Sequence, residues 1–244
     1  MHLTTKSYSN CVENCPICGG VGFLSAGVTD IHDPEFGTMR ECPNRRRKFW
    51  DSELGISYDE AQGLDWNAFT QTDGVVRMRK AYEKLLLRGK GWLYGHGQPG
   101  NGKTIMGKAF AIVCRQQRGW KTRYIKMSDM VNWLRTSYDE QAGQQVYAAR
   151  LRELAGVKVL VVDEAGRDRS TDFSKQSISD IIDKRYMDGN ITVWLSNFKP
   201  ANAFEAYQVD RITDAMHTVL ELKEPSARRT ERSEREAKQW WIEL

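Results

Sequence analysis

Gly97-Gln98-Pro99-Gly100-Asn101-Gly102-Lys103-Thr104 reads G-x-x-x-x-G-K-T, the spacing of a phosphate-binding loop. Its glycines let the backbone turn tightly and aim successive N–H groups at one point, which makes a nest for an anion. Lys103 would reach the β- and γ-phosphates of a nucleotide, and the Thr104 hydroxyl would ligate Mg²⁺. The flanks agree with that reading. Residues 91–94 form a short apolar strand, and residues 104–118 carry Ile105, Met106, Ala109, Ile112 and Val113 at helical spacing. A helix that starts at the loop adds its dipole to anion binding.

The second decisive run is Val157-Lys158-Val159-Leu160-Val161-Val162-Asp163-Glu164. A nearly continuous apolar strand suits the middle of a parallel sheet. Two carboxylates at its C-terminal end suit Mg-nucleotide hydrolysis: Asp163 would hold Mg²⁺, and Glu164 would orient and polarise the attacking water. Further strands are predicted at 122–127, 191–195 and 218–222. Helices are predicted at 74–88, from Ser128 as N-cap, at 140–154 and at 173–187, with Asp210-Arg211-Ile212 opening another. The strand that ends in Ser196-Asn197 would present a polar amide at the ligand-bearing edge of the sheet.

Four of the five cysteines fall in the first 42 residues. Cys15-Pro16-Ile17-Cys18-Gly19-Gly20 is a C-x-x-C knuckle, and Cys42-Pro43 follows. Tetrahedral Zn²⁺ needs four ligands. Asn44 stands where a further cysteine would complete the set, so Cys11, the first choice, or else His32 would join Cys15, Cys18 and Cys42; the alternatives are a site left incomplete or completed by water, and a redox or buried pair of cysteines without metal. Arg45-Arg46-Arg47-Lys48 could meet nucleic-acid phosphate or simply line a solvated helix face. The chain ends in a charged segment carrying Trp240-Trp241, a solvated helix whose tryptophans would dock a partner or cap the core.

At 40% hydrophobic and 28% charged residues over 244 positions, the balance is that of a globular protein with one large domain, or a domain and a small module. A formal net charge of +4 permits nucleic-acid binding through local patches without requiring it. No apolar run approaches the roughly 18 residues of a membrane span. Met1-His2-Leu3-Thr4-Thr5-Lys6 lacks the apolar centre of a secretory signal. The expected location is the cytoplasm, with reduced thiols and no membrane partner.

Taken together, the loop at 97–104, the Val-Leu-Val-Val-Asp-Glu strand, Asp183-Lys184-Arg185-Tyr186, Ser196-Asn197 and Asp210-Arg211-Ile212 resemble the AAA+ ATPases of the DnaC/DnaI helicase-loader group. IstB-type transposition ATPases belong to the same clade. The cysteine segment resembles the zinc-binding N-terminal module of some loaders. The resemblance implies an α/β P-loop AAA+ core with a central parallel sheet flanked by helices, plus that small module. Its divisions would be a zinc-binding docking module at 1–50, a linker and leading helix at 51–88, the ATPase domain at 89–230 and a helical tail at 231–244.

The resemblance further implies nucleotide contacts along the loop and on to Ile105, with Asn197 as the sensor of the γ-phosphate. Arg211 would be the arginine finger inserted into a neighbouring subunit. Arg185 and Arg228 match positions where the clade carries arginine near the subunit boundary, and the resemblance counts both among the nucleotide-binding residues. Arg135, Tyr138, Phe173 and Lys175 would line a path for single-stranded DNA. One departure is Ala215, where loaders usually carry a second arginine. The expected partners are a replicative hexameric helicase, single-stranded DNA and further copies of the chain in an open spiral, with ATP, Mg²⁺ and Zn²⁺ as cofactors. The competing readings are an ATPase regulating transposition on duplex DNA and a nucleotide-locked adaptor with negligible turnover.

Overall fold

Val159–Asp163 and Ile191–Ser196 are buried at every position, which requires the middle of a sheet covered on both faces. The computed structural model of the chain places them there. It describes residues 11, 14–45, 50–64, 72–136, 143–167 and 171–224. The chain forms two compact units, Met1–Gly63 and Leu64–Leu244.

The first unit carries an antiparallel hairpin of β1 (Phe23–Ser25) and β2 (Met39–Glu41), with Leu24 opposite Arg40. Neither strand is buried. The buried centre lies instead at Cys11, Cys15 and Cys42, with Cys18 against them. A short helix, α1 (Tyr58–Gln62), follows, its first turn capped by the Ser57 hydroxyl.

In the second unit, β3 (Trp92–Gly97), β4 (Thr122–Lys126), β5 (Val159–Asp163), β6 (Ile191–Ser196) and β7 (Thr218–Leu222) form one sheet in the order β4-β5-β6-β3-β7. All four pairings are parallel. Helices α2 (Asp73–Arg88) and α3 (Lys103–Arg118) cover one face. There Tyr82 of α2 stacks on Phe110 of α3, ring centroids 4.3 Å apart. Gly107 of α3 lies so close to Leu195 and Val161 that a Cβ would clash, so this glycine sets how near the helix comes to the sheet.

The opposite face is covered by α4 (Met127–Thr136), α5 (Gly143–Gly156), α6 (Asp172–Met187) and α8 (Ala206–Ile212), with the short α7 (Pro200–Ala203) beside them. Trp92, Tyr94, Leu160, Val162 and Trp194 meet Leu134, Leu154, Ile178, Ile182 and Phe204 there. Truncating either buried tryptophan to alanine would cost about 3–5 kcal/mol.

Two boundaries differ from expectation. Met127 is fully buried and starts α4 directly from β4, so Ser128 sits inside the first turn rather than capping it. Asp210-Arg211-Ile212 closes α8 rather than opening a helix, because Glu205 and Gln208 form a capping box one turn upstream of it. No helix among the described residues is long and apolar enough to cross a membrane.

Candidate nucleotide and metal sites

In a parallel sheet every strand ends at the same edge, so the loop after β3 and the carboxylates after β5 converge there. Thr104 Oγ1 donates to Asp163 Oδ2 at 2.8 Å, which joins the two motifs. Tyr124 of β4 donates to the same oxygen at 2.6 Å, and the Glu164 amide donates to Asp163 Oδ1 at 2.8 Å. Asp163 is only 3% exposed, yet each carboxylate oxygen has a donor. A hydroxyl and a carboxylate in contact are oxygen donors of the kind Mg²⁺ takes, while the helix N-terminus beside them favours the phosphate.

Lys103 folds back into its own loop. Its Nζ donates to Gly97 O at 2.8 Å, Gln98 O at 2.9 Å and Asn101 Oδ1 at 2.9 Å. Burial lowers its pKa to about 8, and the charge of Asp163 opposes that shift only in part. The ammonium therefore borrows carbonyls that a phosphate would replace.

Glu164 has a left-handed backbone, φ 55°, which lifts its side chain off the strand line. Its carboxylate meets Arg167 Nη1 at 2.6 Å and Lys126 Nζ at 3.4 Å. Partial burial pushes its pKa up, but these hydrogen bonds and charges outweigh that and hold it below the usual range. Asn197 is exposed at the end of β6. Ser196 beside it is buried and donates to Ala165 O at 2.6 Å, which ties β6 to the turn after β5.

Three contributors were not expected from the sequence. Tyr124 and Lys126 reach the carboxylates because β4 pairs with β5, placing Lys126 opposite Asp163. Arg167 reaches Glu164 through the turn. Their signal was only that both strands end at one edge. His96, the penultimate residue of β3, is 7% exposed, and burial lowers its pKa.

Arg185 is corrected by the structure. It is fully buried in α6 rather than at a boundary. Its guanidinium donates to Thr192 Oγ1 at 2.9 Å and to the carbonyls of Leu154, Ala155, Val157 and Ile191. Those carbonyls belong to the end of α5, the residues after it and the start of β6, so the cation caps a helix C-terminus from inside the core. Arg211 pairs with Asp183 of α6 and lies 5.6 Å over the Tyr186 ring. Asp183 is near the C-terminal end of α6, at the sheet edge opposite the phosphate loop, so Arg211 does not serve its own loop. Arg228, Tyr138, Arg46 to Lys48 and the Trp240-Trp241 tail lie outside the described residues.

On the helical face, Arg135 lies 5.9 Å over Phe173, and Phe173 meets Tyr147 edge-on at 5.9 Å. Beside them Trp133 has Arg150 at 5.4 Å and Arg123 at 6.0 Å. Lys175 pairs with Glu205 instead, at 3.5 Å.

In the first unit, the sulfurs of Cys11, Cys15, Cys18 and Cys42 all lie within 4.8 Å of one another. Cys11 and Cys15 are 3.8 and 3.7 Å from Cys42. A Zn–S bond of about 2.3 Å gives tetrahedral S···S edges of about 3.8 Å, whereas a disulfide would need about 2.05 Å. The set fits zinc. Burial alone would raise the Cys15 pKa, but N–H groups of Cys18 and Ile17 and the Asn44 amide bring it to about 6. Asn44 thus donates to a sulfur, at 3.3 Å, where a ligand was looked for. His32 is exposed in the loop between β1 and β2 and is not in the cluster.

A family model described as IstB-like ATP binding protein matches residues 88–235, more than half of the chain. No curated protein matches the chain in sequence. Among solved structures, the DnaC helicase loader superposes with a TM-score of 0.58 at 21% identity, over 67% of this chain and 98% of that one. DnaI gives 0.58 at 20% identity, over 69% and 95%. AMPPCP-bound DnaA from Aquifex aeolicus gives 0.59 at 15% identity, over 74% and 56%, so this chain spans just over half of that protein's length. A DNA replication initiation factor is likewise covered over 55% of its chain. At these identities the likeness shows the fold, a P-loop AAA+ core.

Proposed function

Because the chain belongs to the IstB-like ATP-binding family, we propose that it is an ATPase that loads a replicative DNA helicase, with ATP binding and slow hydrolysis as an assembly switch. The observation that carries the ATPase part is the Thr104–Asp163 hydrogen bond of 2.8 Å, which brings the loop's hydroxyl and the strand's carboxylate to one point. Backbone N–H groups of Gly100, Asn101, Gly102 and Lys103 receive the phosphates. Lys103 leaves the Gly97 and Gln98 carbonyls for them. Thr104 and Asp163 would hold Mg²⁺, which when bound would neutralise charge developing on the phosphoryl oxygens. Glu164 turns away from Arg167 and Lys126 to activate water. Asn197 senses the γ-phosphate, and Arg211 of a neighbouring copy stabilises the transition state.

The loader part rests on two further features. The aromatic–arginine face of Trp133, Tyr147 and Phe173 with Arg135 and Arg150 has the chemistry of sequence-tolerant single-strand binding. The first unit would use Zn²⁺ in place of an apolar core. It exposes the apolar side chains of Ile17, Val21, Ile31, Phe36 and Met39, which a protein partner would bury. Of the structural neighbours, DnaC is described as a helicase loader.

The family match favours a second reading, an ATPase that regulates transposition on duplex DNA. Pulldown of a replicative helicase by the full chain, and by a chain lacking residues 1–63, separates the two. With ATP and single-stranded DNA present, a loader is retained only when the first unit is there. Loss of helicase capture by both forms, with ATP-dependent assembly on duplex DNA, would establish the second reading instead.

A further inference from the structure

The contacts around the loop give a bound nucleotide a direction. With Thr104 and Asp163 as the metal's ligands, as proposed above, the γ-phosphate would lie toward β5, which is on the β6 side of β3. The nucleoside end then points to the other side of β3, where the neighbouring strand is β7. Loop and strand touch there. Asn101 Nδ2 donates to Leu222 O at 3.3 Å, and Gly97 approaches the same carbonyl so closely that no Cβ fits.

Two residues beyond Leu222, Glu224 lies over the first turn of α2. A Cβ at residue 74 would collide with its carboxylate, so Gly74 is what lets it settle there. Arg77 approaches Oε1 at 4.0 Å. Oε2 is buried and has no hydrogen-bond partner among the described residues. A buried acceptor of this kind is costly unless something donates to it. Proximity to a helix N-terminus offsets its charge but does not replace the missing donor.

We propose that Glu224 reads the base of the bound nucleotide, with Oε2 accepting from the exocyclic amine of adenine. The inference rests on the ATP-binding reading above. With Oε1 facing Arg77, one oxygen is left to read one donor. The 6-oxo group of guanine is an acceptor and meets that oxygen with repulsion. Glu224 is then a specificity residue, acting on binding rather than on the chemical step.

Calorimetric titration of the full chain with Mg²⁺ and either ATP, GTP or purine riboside triphosphate tests it. The last is ATP without the amine. The wild-type chain should bind ATP roughly tenfold or more tightly than purine riboside triphosphate, the worth of one hydrogen bond to a charged acceptor. Glu224→Ala should bring the two within about twofold by weakening ATP alone, and Glu224→Gln, which still offers an oxygen, should fall between. Equal wild-type binding of ATP and purine riboside triphosphate overturns the proposal. So does tighter binding of GTP than ATP, or an equal loss for both ligands in Glu224→Ala, the mark of a structural role. Binding of no triphosphate at all would overturn the ATP reading itself, and the base assignment with it. The wild-type comparison needs no variant, so poor folding of Glu224→Ala leaves the proposal testable.

Discussion

Lys103 is held in a place that favours its neutral form. Burial brings its pKa to about 8 from an ordinary 10.5. A bound triphosphate favours the ammonium, so the bound pKa must lie above 8. From pH 7 to 8 the free chain mostly carries the proton, and ATP affinity should be nearly flat. Above 8 the proton must be taken up on binding, and affinity should fall by up to about tenfold per pH unit. Titrations from pH 7 to 9.5 in two buffers of different ionisation enthalpy would show both the fall and the proton uptake. A flat profile to pH 9.5 would mean that this ammonium does not meet the phosphates. Glu164 makes the complementary case. Its contacts with Arg167 and Lys126 hold the carboxylate in place without a nucleotide. Removing one partially exposed partner is worth up to about 1 kcal/mol, or about fivefold in rate. Arg167→Ala should therefore raise basal ATP turnover about two- to fivefold with the Kd for ATP unchanged. A fall in turnover would show that Arg167 positions Glu164 for the reaction rather than restraining it.

At the scale of elements, the sequence was most legible where one strand or loop carries its own signal. Val159 to Val162 reads as a buried strand from its apolar run alone, and the glycines of 97–102 read as a turn with a ligand. The cysteine knuckle was legible to its third member. For the fourth position Cys11 is the first choice over His32, and the chain's folding back brings Cys11 to the cluster. What crosses from one element to another was hidden. Tyr124 and Lys126 meet the site only once β4 pairs with β5, and that register is written in no local pattern. The resemblance alone places Arg185 near a subunit boundary, yet here four carbonyls and a hydroxyl from α5, the residues after it and β6 surround its guanidinium, and those contacts too exist only once the elements pack. Burial lowers its pKa only to about 9, so it stays charged at neutral pH. Arg185→Leu strands those carbonyls and should cost about 3–5 kcal/mol, lowering the melting midpoint by on the order of 10 °C. Well below that midpoint its affinity for ATP should match the wild type. Melting within about 2 °C of wild type with lost ATP binding would return Arg185 to a nucleotide role.

For the whole molecule, the open question is whether one copy can complete a site. Arg211 pairs with Asp183 at the sheet edge opposite the loop, so within one chain Arg211 and the phosphate loop are on opposite sides of the fold. If Arg211 works at all in hydrolysis, it works in another copy, and head-to-tail assembly follows from that geometry. Ala215 makes the point sharper, since no second arginine one turn on can substitute. Mixing two inactive variants decides it. Arg211→Ala keeps its own Glu164 but offers no finger, and Glu164→Gln offers the finger but has no base. In a one-to-one random assembly about a quarter of interfaces pair an intact Glu164 with an intact Arg211 from the neighbour. Activity per site should recover toward that fraction of wild type, with single-stranded DNA and ATP present. Assembly without recovery would exclude Arg211 as a finger in trans. High activity of Arg211→Ala alone would show that hydrolysis needs no partner, and the spiral would then serve binding only.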